Sequence, residues 1–417
     1  MNAIAERTFA AFQFRNFRLY VASQLVSFSG TWMQQLAQGW LVLELTGSGT
    51  ALGTVLAFQF LPMLLLAPLG GVIADRLDKR RLMMVTQSLA GALALTLGVL
   101  TLTGVTELWM VYALAGALGI ITAIDNPARQ TFVTELVGLD HLTNAITLTS
   151  VVINGARALG PAVGGVLIAT LGIGQCFIAN AVSYVFVVAA LSFIDRTQMF
   201  TTPRVEPEKG QLRQGLAYAW RTPQLRAPLA MLAVCGLFLF EFNVTFPLLA
   251  DHTFDTGPTG LAIMETLFGI GAVGGGLYVA ASGAPSTARL LTFTVAGSAL
   301  MLLLAIAPTS LIAYVIVPFI GAALIGMLAV ANATLQTTAE PHLRGRVMAL
   351  WGVAVMGTTP IGAPIVGWVG EHVDPRAAVA LGGVAGLGAA AYGWFDAVAR
   401  AEARPSGDLL AAPAAGN

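Results

Sequence analysis

Apolar stretches recur along the whole chain, separated by short polar turns, and ~20 such residues are what a helix needs to cross a bilayer core. Twelve windows qualify: 19–43, 50–73, 82–103, 107–125, 142–170, 174–194, 227–250, 258–281, 289–307, 310–334, 346–369 and 376–398. They predict an all-α, polytopic membrane protein with twelve transmembrane helices. The longest polar interval, 195–226, holds Pro203, Glu206, Pro207, Glu208, Lys209, Arg213 and Arg221 and divides the spans six and six. The expected organisation is a six-helix bundle over 1–194, a central loop over 195–226, a second six-helix bundle over 227–398 and a tail over 399–417. The first apolar stretch exceeds the ~7–15-residue core of a cleaved signal peptide, so it reads as a span.

Of the 417 residues, 56% are hydrophobic and 10% charged, where a soluble domain carries about 25% charged residues. No soluble surface can be built from this. The 21 basic and 21 acidic residues cancel, so charge points to no nucleic-acid partner and the placement of the basic residues is what informs. With both ends on the inner side, 19 of the 21 Lys and Arg fall before the first span, in inner loops or in the tail, including Arg7 and Arg404. Arg376 is the outer exception and Arg157 lies within a span. Basic loops resist translocation, so the expectation is a multi-pass inner (plasma) membrane protein with both termini cytoplasmic. Cys176 and Cys235 lie in apolar runs and read as small hydrophobes rather than a disulfide.

The halves resemble each other at equivalent inner loops, where Gln130 and Glu135 precede the fifth span and Gln336 and Glu340 precede the eleventh. The fifth span then carries GPAVGG at 160–165 and the eleventh PIGAPIVG at 360–367. Parallel repeats about an axis along the membrane normal are a recognised plan of secondary transporters, with the binding site between the halves.

The loop between spans two and three reads GGVIADRLDKRR at 70–81. A carboxylate and several basic groups at the inner mouth can bond neighbouring helix ends in one conformation and release them in the other. The expected gating residues are Gly71, Asp75, Arg76, Lys79 and Arg80, with Arg344 and Arg346 of the RGRV segment at 344–347, and Asp75 is the expected latch. A plain basic loop would explain the arginines but not the Gly and Asp spacing. That spacing resembles the signature of the major facilitator superfamily, with Asp78 where the family usually has Gly. Gly160, Pro161, Gly164 and Gly165 are similar to the antiporter motif of drug and proton exchangers in that superfamily, with Ala156 in place of a further Gly. Small residues and Pro let helices approach and bend, so helix packing alone also accounts for them. With PARQ at 127–130, RGRV, Gly30, Trp32, Gln35 and LELTGS at 43–48, the chain resembles the drug and siderophore efflux branch over nearly its whole length. That branch includes macrolide efflux proteins and the enterobactin exporter, and the resemblance implies a transporter working by alternating access.

Two spans carry polar residues at helical spacing, which a lipid-facing helix avoids. Span one has Gln24, Ser27, Thr31, Gln34 and Gln38; span five has Thr147, Ser150, Asn154, Arg157 and Pro161. Gln24, Ser27, Thr31, Gln34, Gln38, Ser150 and Asn154 are expected to line a substrate cavity, although interhelical bonding would produce the same pattern. A mid-span Arg157 must face a cavity or an acid, because an unpaired central charge costs at least ~2.5–3.5 kcal/mol. Candidate acids for proton coupling are Asp125, Glu241 and Glu265. Asp125 reads more simply as a partner of Arg129 four residues on. Glu241, among Phe238, Phe240 and Phe242, is the foremost candidate, with Arg157 as its neighbour.

No Gly-rich phosphate cradle is present, the four histidines (His141, His252, His342 and His372) lack metal-ligand spacing, and no nucleophile–base constellation appears. The chain thus reads as no enzyme, without metal or cofactor. The expected function is proton-coupled efflux of amphipathic small molecules by a monomer in the lipid bilayer. A metabolite importer or uniporter of the same fold is the alternative, and a receptor or membrane-embedded enzyme stands further off.

Overall fold

The computed structural model describes residues 9–200, 211–341 and 343–402. Arg7, Pro203, Glu206, Pro207, Glu208, Lys209, His342, the tail beyond Glu402 with Arg404, and the side chain of Arg213 lie outside the described residues. The first six long helices are α1 (Arg15–Thr46), α2 (Gly49–Arg76), α3 (Lys79–Thr103), α4 (Leu108–Val137), α5 (Leu142–Leu171) and α6 (Ile173–Ser192). A short helix, Gln211–Arg221, leads into α7 (Pro223–Thr253). There follow α8 (Gly257–Ala281), α9 (Thr287–Ala305), α10 (Ser310–Thr338), α11 (Arg344–His372) and α12 (Pro375–Glu402).

Eleven helices among the described residues are long and apolar enough to cross a membrane. The remaining one, α1, has 32 residues, but Gln24, Ser27, Gln34 and Gln38 lower its hydropathy. All four are buried, which keeps their polar groups from lipid. Helix ends follow local chemistry: α1 and α3 stop at Gly47 and Gly104, whose φ of 61° and 73° suits glycine. Ser48 and Asp78 cap the starts of α2 and α3 by accepting from Ala51 N at 3.1 Å and Arg81 N at 2.9 Å. Asp78 has φ −63°, so an Asp fits this turn without strain where the superfamily usually has Gly.

Packing repeats with a six-helix period. Within the first six, α2 packs on α4, α3 on α6 and α1 on α5; within the last six, α8 packs on α10, α9 on α12 and α7 on α11. The two sets meet along α5–α8 and α2–α11. Small residues set the closest approaches: a Cβ on Gly119 would lie 2.2 Å from the Gln59 carbonyl oxygen, and one on Gly271 1.7 Å from that of Pro318. Without a hydrophobic drive between helices in lipid, such contact supplies the packing energy.

Three helices depart from the sequence expectation. α4 continues well past 125 to Val137, because the polar residues that seemed to end it bond to one another inside the protein. α7 is interrupted by π-helical turns at Cys235–Leu239 and Leu249–Thr253, with a break at Phe240 and Glu241. α11 breaks between Val355 and Thr359. The breaks adjoin: a Cβ on Gly236 would lie 2.3 Å from the Ala354 carbonyl oxygen and 2.6 Å from Thr358 Oγ1. Irregular backbone at membrane depth is tolerated only where protein or a wet cavity covers it.

Candidate functional site

Midway along α5, Arg157 faces a small recess between the two sets of helices, lined also by Trp32, Pro161, Phe242, Asn243, Phe246, Glu265 and Phe268. Its free interior of about 10 Å³ has room for about one water, where pockets that hold drug-sized ligands occupy ~300–1,000 Å³, so the recess has to widen to take a cargo of that size. The Arg157 guanidinium lies over Trp32, 4.5 Å from the ring centre, and 6.0 Å from that of Phe268. Phe268 in turn packs on Phe242 and Phe246. Arg157 Nε is buried without a hydrogen-bond partner. The opposite charge acting on Arg157 is Glu265 of α8. Among the described residues neither group makes a hydrogen bond or a close ion pair.

This corrects the expected pairing of Arg157 with Glu241. Glu241 is 2% exposed and does not line the recess; it meets Thr359 at the break of α11. Its Oε1 and the hydroxyl of Thr245 one turn on are buried without partners. Asp125 is a structural hub. It accepts from Thr86 Oγ1 at 2.5 Å, Gln87 Nε2 at 3.0 Å and Arg129 Nε at 3.1 Å, and Arg129 reaches on to Gln24 Oε1 at 3.3 Å. Three helices, α1, α3 and α4, are tied through this one ion pair; removing one partner of such a buried pair costs about 3–5 kcal/mol.

In the span-one stripe, Gln24 and Gln34 bond neighbouring helices, and none of the five residues lines the recess. Gln24 contacts Arg129, Gln34 accepts from Asn180 Nδ2 of α6 at 2.7 Å, and Thr31 donates to the Ser27 carbonyl. Ser27 and Gln38 are buried in the same interior. The face of α1 that reaches the recess carries Trp32 instead. On α5, Thr147 and Ser150 are exposed and Asn154 half-buried, on the Arg157 stripe and leading from it toward the end of the bundle that holds the basic loops. Gly160 and Gly164 pack on Ser29, Trp32 and Met33 of α1, and Gly165 on Ala262 of α8. Pro161 lines the recess itself.

The basic end and the opposite end differ. At the basic end Asp75 and Arg76 are exposed and make no hydrogen bond or ion pair among the described residues. Gly71 has open space around it, and the tight approach belongs to Gly70 against the Ala123 carbonyl. Lys79 pairs with Glu135 at 2.5 Å, and Arg80 donates to the carbonyls of Leu191 and of Ser192, the latter at 2.6 Å, at the end of α6. Arg346 donates to Gln214 of the loop helix at 2.6 Å, and Arg344 is exposed. These bonds stay within one set of helices.

At the opposite end the sets are joined. Glu371 Oε2 accepts from Ser48 Oγ at 2.6 Å and from Thr50 N at 2.9 Å, a carboxylate placed on the positive end of α2. A Cβ on Gly53 would lie 2.2 Å from the Ala363 carbonyl oxygen, and one on Gly367 2.1 Å from that of Gly49. The α2–α11 seam is therefore closed at this end. Neither Glu371 nor the two helix breaks stood out in the sequence; Gly357 and Pro360 around the α11 break, and Pro247 in α7, were the available signals.

The family model described as transmembrane secretion effector matches residues 6–413. The multidrug efflux pump Tap of Mycolicibacterium fortuitum is 27% identical over 84% of this chain and 88% of its own. Macrolide efflux protein A of Streptococcus pyogenes is 24% identical over 82% of this chain and 86% of its own. The staphyloferrin A transporter of Staphylococcus aureus is 32% identical over 40% of this chain. The chain spans 58% of the length of the Bacillus subtilis MFS-type transporter YfiS and 42% of that of the staphyloferrin A transporter. Among solved structures, a bacterial homologue of the human lysosomal transporter Spinster, inward-facing and occupied, aligns over 94% of this chain and 98% of its own with a TM-score of 0.69 at 12% identity. The nucleoside transporter NupG aligns over 92% and 99% with a TM-score of 0.70 at 12% identity, so both speak for the fold alone. Twelve long helices among the described residues, packed as a six-plus-six repeat, with a family match across the chain, place this protein in the transmembrane secretion effector family of major facilitator transporters.

Proposed function

We propose that the protein exports amphipathic small molecules by alternating access, driven by inward proton movement. The observation that carries this reading is the recess between the halves, which brings Arg157 and Glu265 together with aromatic side chains. The α2–α11 seam beside it is closed at the Glu371 end and unbonded at Asp75 among the described residues. The basic end is cytoplasmic, since basic loops resist translocation, so this conformer faces inward with both termini inside. The two six-helix units, 1–194 and 227–398, move as bodies about the recess, linked through 195–226. Efflux is the direction of the Tap and macrolide relatives named above, and a monomer contains the complete site.

Glu265 is the coupling acid on this reading. It sits in the recess, where cargo and proton compete for one carboxylate, and that competition is what makes an exchanger. Glu241 is a second candidate because its Oε1 lacks a partner beside the α7 and α11 breaks. In proteoliposomes with an imposed pH gradient, Glu265→Gln is expected to bind cargo yet lose gradient-driven efflux, with Glu241→Gln retaining it. The reverse result moves coupling to the helix breaks, and efflux unaffected by any gradient removes proton coupling, leaving a uniporter.

A further inference from the structure

The recess holds two opposite charges that have not joined. Arg157 and Glu265 stand on helices from different halves, each without a hydrogen bond among the described residues. The helices that carry them are already in backbone contact in this state: a Cβ on Gly269 of α8 would lie 2.7 Å from Ala158 Cα and 2.9 Å from the Arg157 carbonyl carbon. In this state the pair cannot close by bringing the two backbones nearer. Trp32 lies over the guanidinium and Phe268 stands 6.0 Å from it, and its N–H donors, all in the guanidinium plane, include a buried Nε without a partner. Such a fork suits a carboxylate or another oxyanion. Glu265, ionised, offers acceptors only.

A cargo bearing one charge would satisfy one of these groups and leave the other buried without a partner, which is costly in a desolvated site. A cargo carrying both an oxyanion and a protonated amine satisfies both and keeps the site neutral. Phe242, Phe246 and Phe268 supply an apolar wall for its body. We infer that the cargo is a zwitterionic amphipath, its oxyanion held by Arg157 and its ammonium by Glu265. This rests on the recess being the cargo site of the proposed exporter. The ammonium and the coupling proton then exclude each other at Glu265. One proton entering for one neutral zwitterion leaving moves a net positive charge inward, so transport responds to membrane potential as well as to pH.

The test uses full-length protein, in lipid nanodiscs for binding and in proteoliposomes for efflux, and three matched fluorescent probes. Nε-dansyl-lysine is the zwitterion, its methyl ester carries only the ammonium, and its Nα-acetyl derivative only the carboxylate. The zwitterion is expected to bind at least about tenfold tighter than either derivative, the scale of a hydrogen bond to a charged group. Arg157→Gln should bring the zwitterion to the affinity of the ester, and Glu265→Gln to that of the acetyl derivative. Arg157→Lys and Glu265→Asp, which keep the charges, should recover part of the preference and so separate recognition from misfolding. Equal binding of all three probes, or tighter binding of the ester, overturns the inference. Binding of none, with pH-driven efflux of a lipophilic cationic dye intact, overturns it too and leaves the exporter reading standing. The expected probe preference with no gradient-driven efflux of any compound sinks the exporter reading instead.

Discussion

At one end of the α2–α11 seam Gly49, Gly53, Ala363 and Gly367 bring two backbones into contact, and Glu371 caps the start of α2. At the other end the same two helices carry Asp75, Arg76, Arg344 and Arg346, and Asp75 and Arg76 are exposed without a hydrogen bond or ion pair among the described residues. The difference lies in the range of the forces. Contacts between small residues act over a fraction of an ångström, so that end is either fully closed or without attraction. Charges at a mouth that fills with water lose little when they part, because water replaces the partner. A seam with one end of each kind can be tight in this state and still reversible over a cycle.

The largest effect is expected from crowding the tight end. Gly53→Val puts a branched side chain against the Ala363 carbonyl; overpacking costs about 1–3 kcal/mol, enough to shift the balance of states roughly tenfold. Spin labels at the exposed Thr46 and Val373 should report a longer distance at that end, with transport reduced. An unchanged distance would mean that α11 yields elsewhere and the seal is not set by glycine.

Next comes the basic end. Asp75→Asn should lower transport about fivefold, the scale of ~1 kcal/mol for a charge at a helix end, while leaving the Thr46–Val373 distance of the present conformer as it is. Wild-type transport in a well-expressed variant would reduce the segment at 70–81 to a topological signal.

The smallest effect belongs to Glu371→Gln. At an exposed position solvent screening leaves ~0.5–1 kcal/mol for such a contact, so the sealed end should open about two- to fivefold more often, read as faster thiol labelling of a cysteine at Thr50. No change in labelling would assign the whole seal to the glycine contacts.

The stripe at span one is informative about legibility. The 3,4 spacing of Gln24, Ser27, Thr31, Gln34 and Gln38 placed them on one face, and they do share one. Periodicity carries no sign, so it could not say whether that face turned to the cavity or to α4 and α6. Arg157 shows the converse: a mid-span charge demanded a partner from sequence alone, and the choice between Glu241 and Glu265 depended on how α5, α7 and α8 lie against one another.

Composition and the length of the apolar stretches determined an all-helical, polytopic chain, because backbone groups in lipid must bond within their own segment. The basic loops set the expected orientation, and the 70–81 segment and the paired Gly/Pro clusters marked the superfamily. These are local quantities, fixed by solvent and by near neighbours in the chain. The tertiary structure decided which charges share the recess, that Asp125 is a structural hub, where α7 and α11 break, and which end is sealed. Each of those depends on contacts between helices far apart in sequence, whose energies lie in distances of a few ångströms that no pattern along one chain encodes.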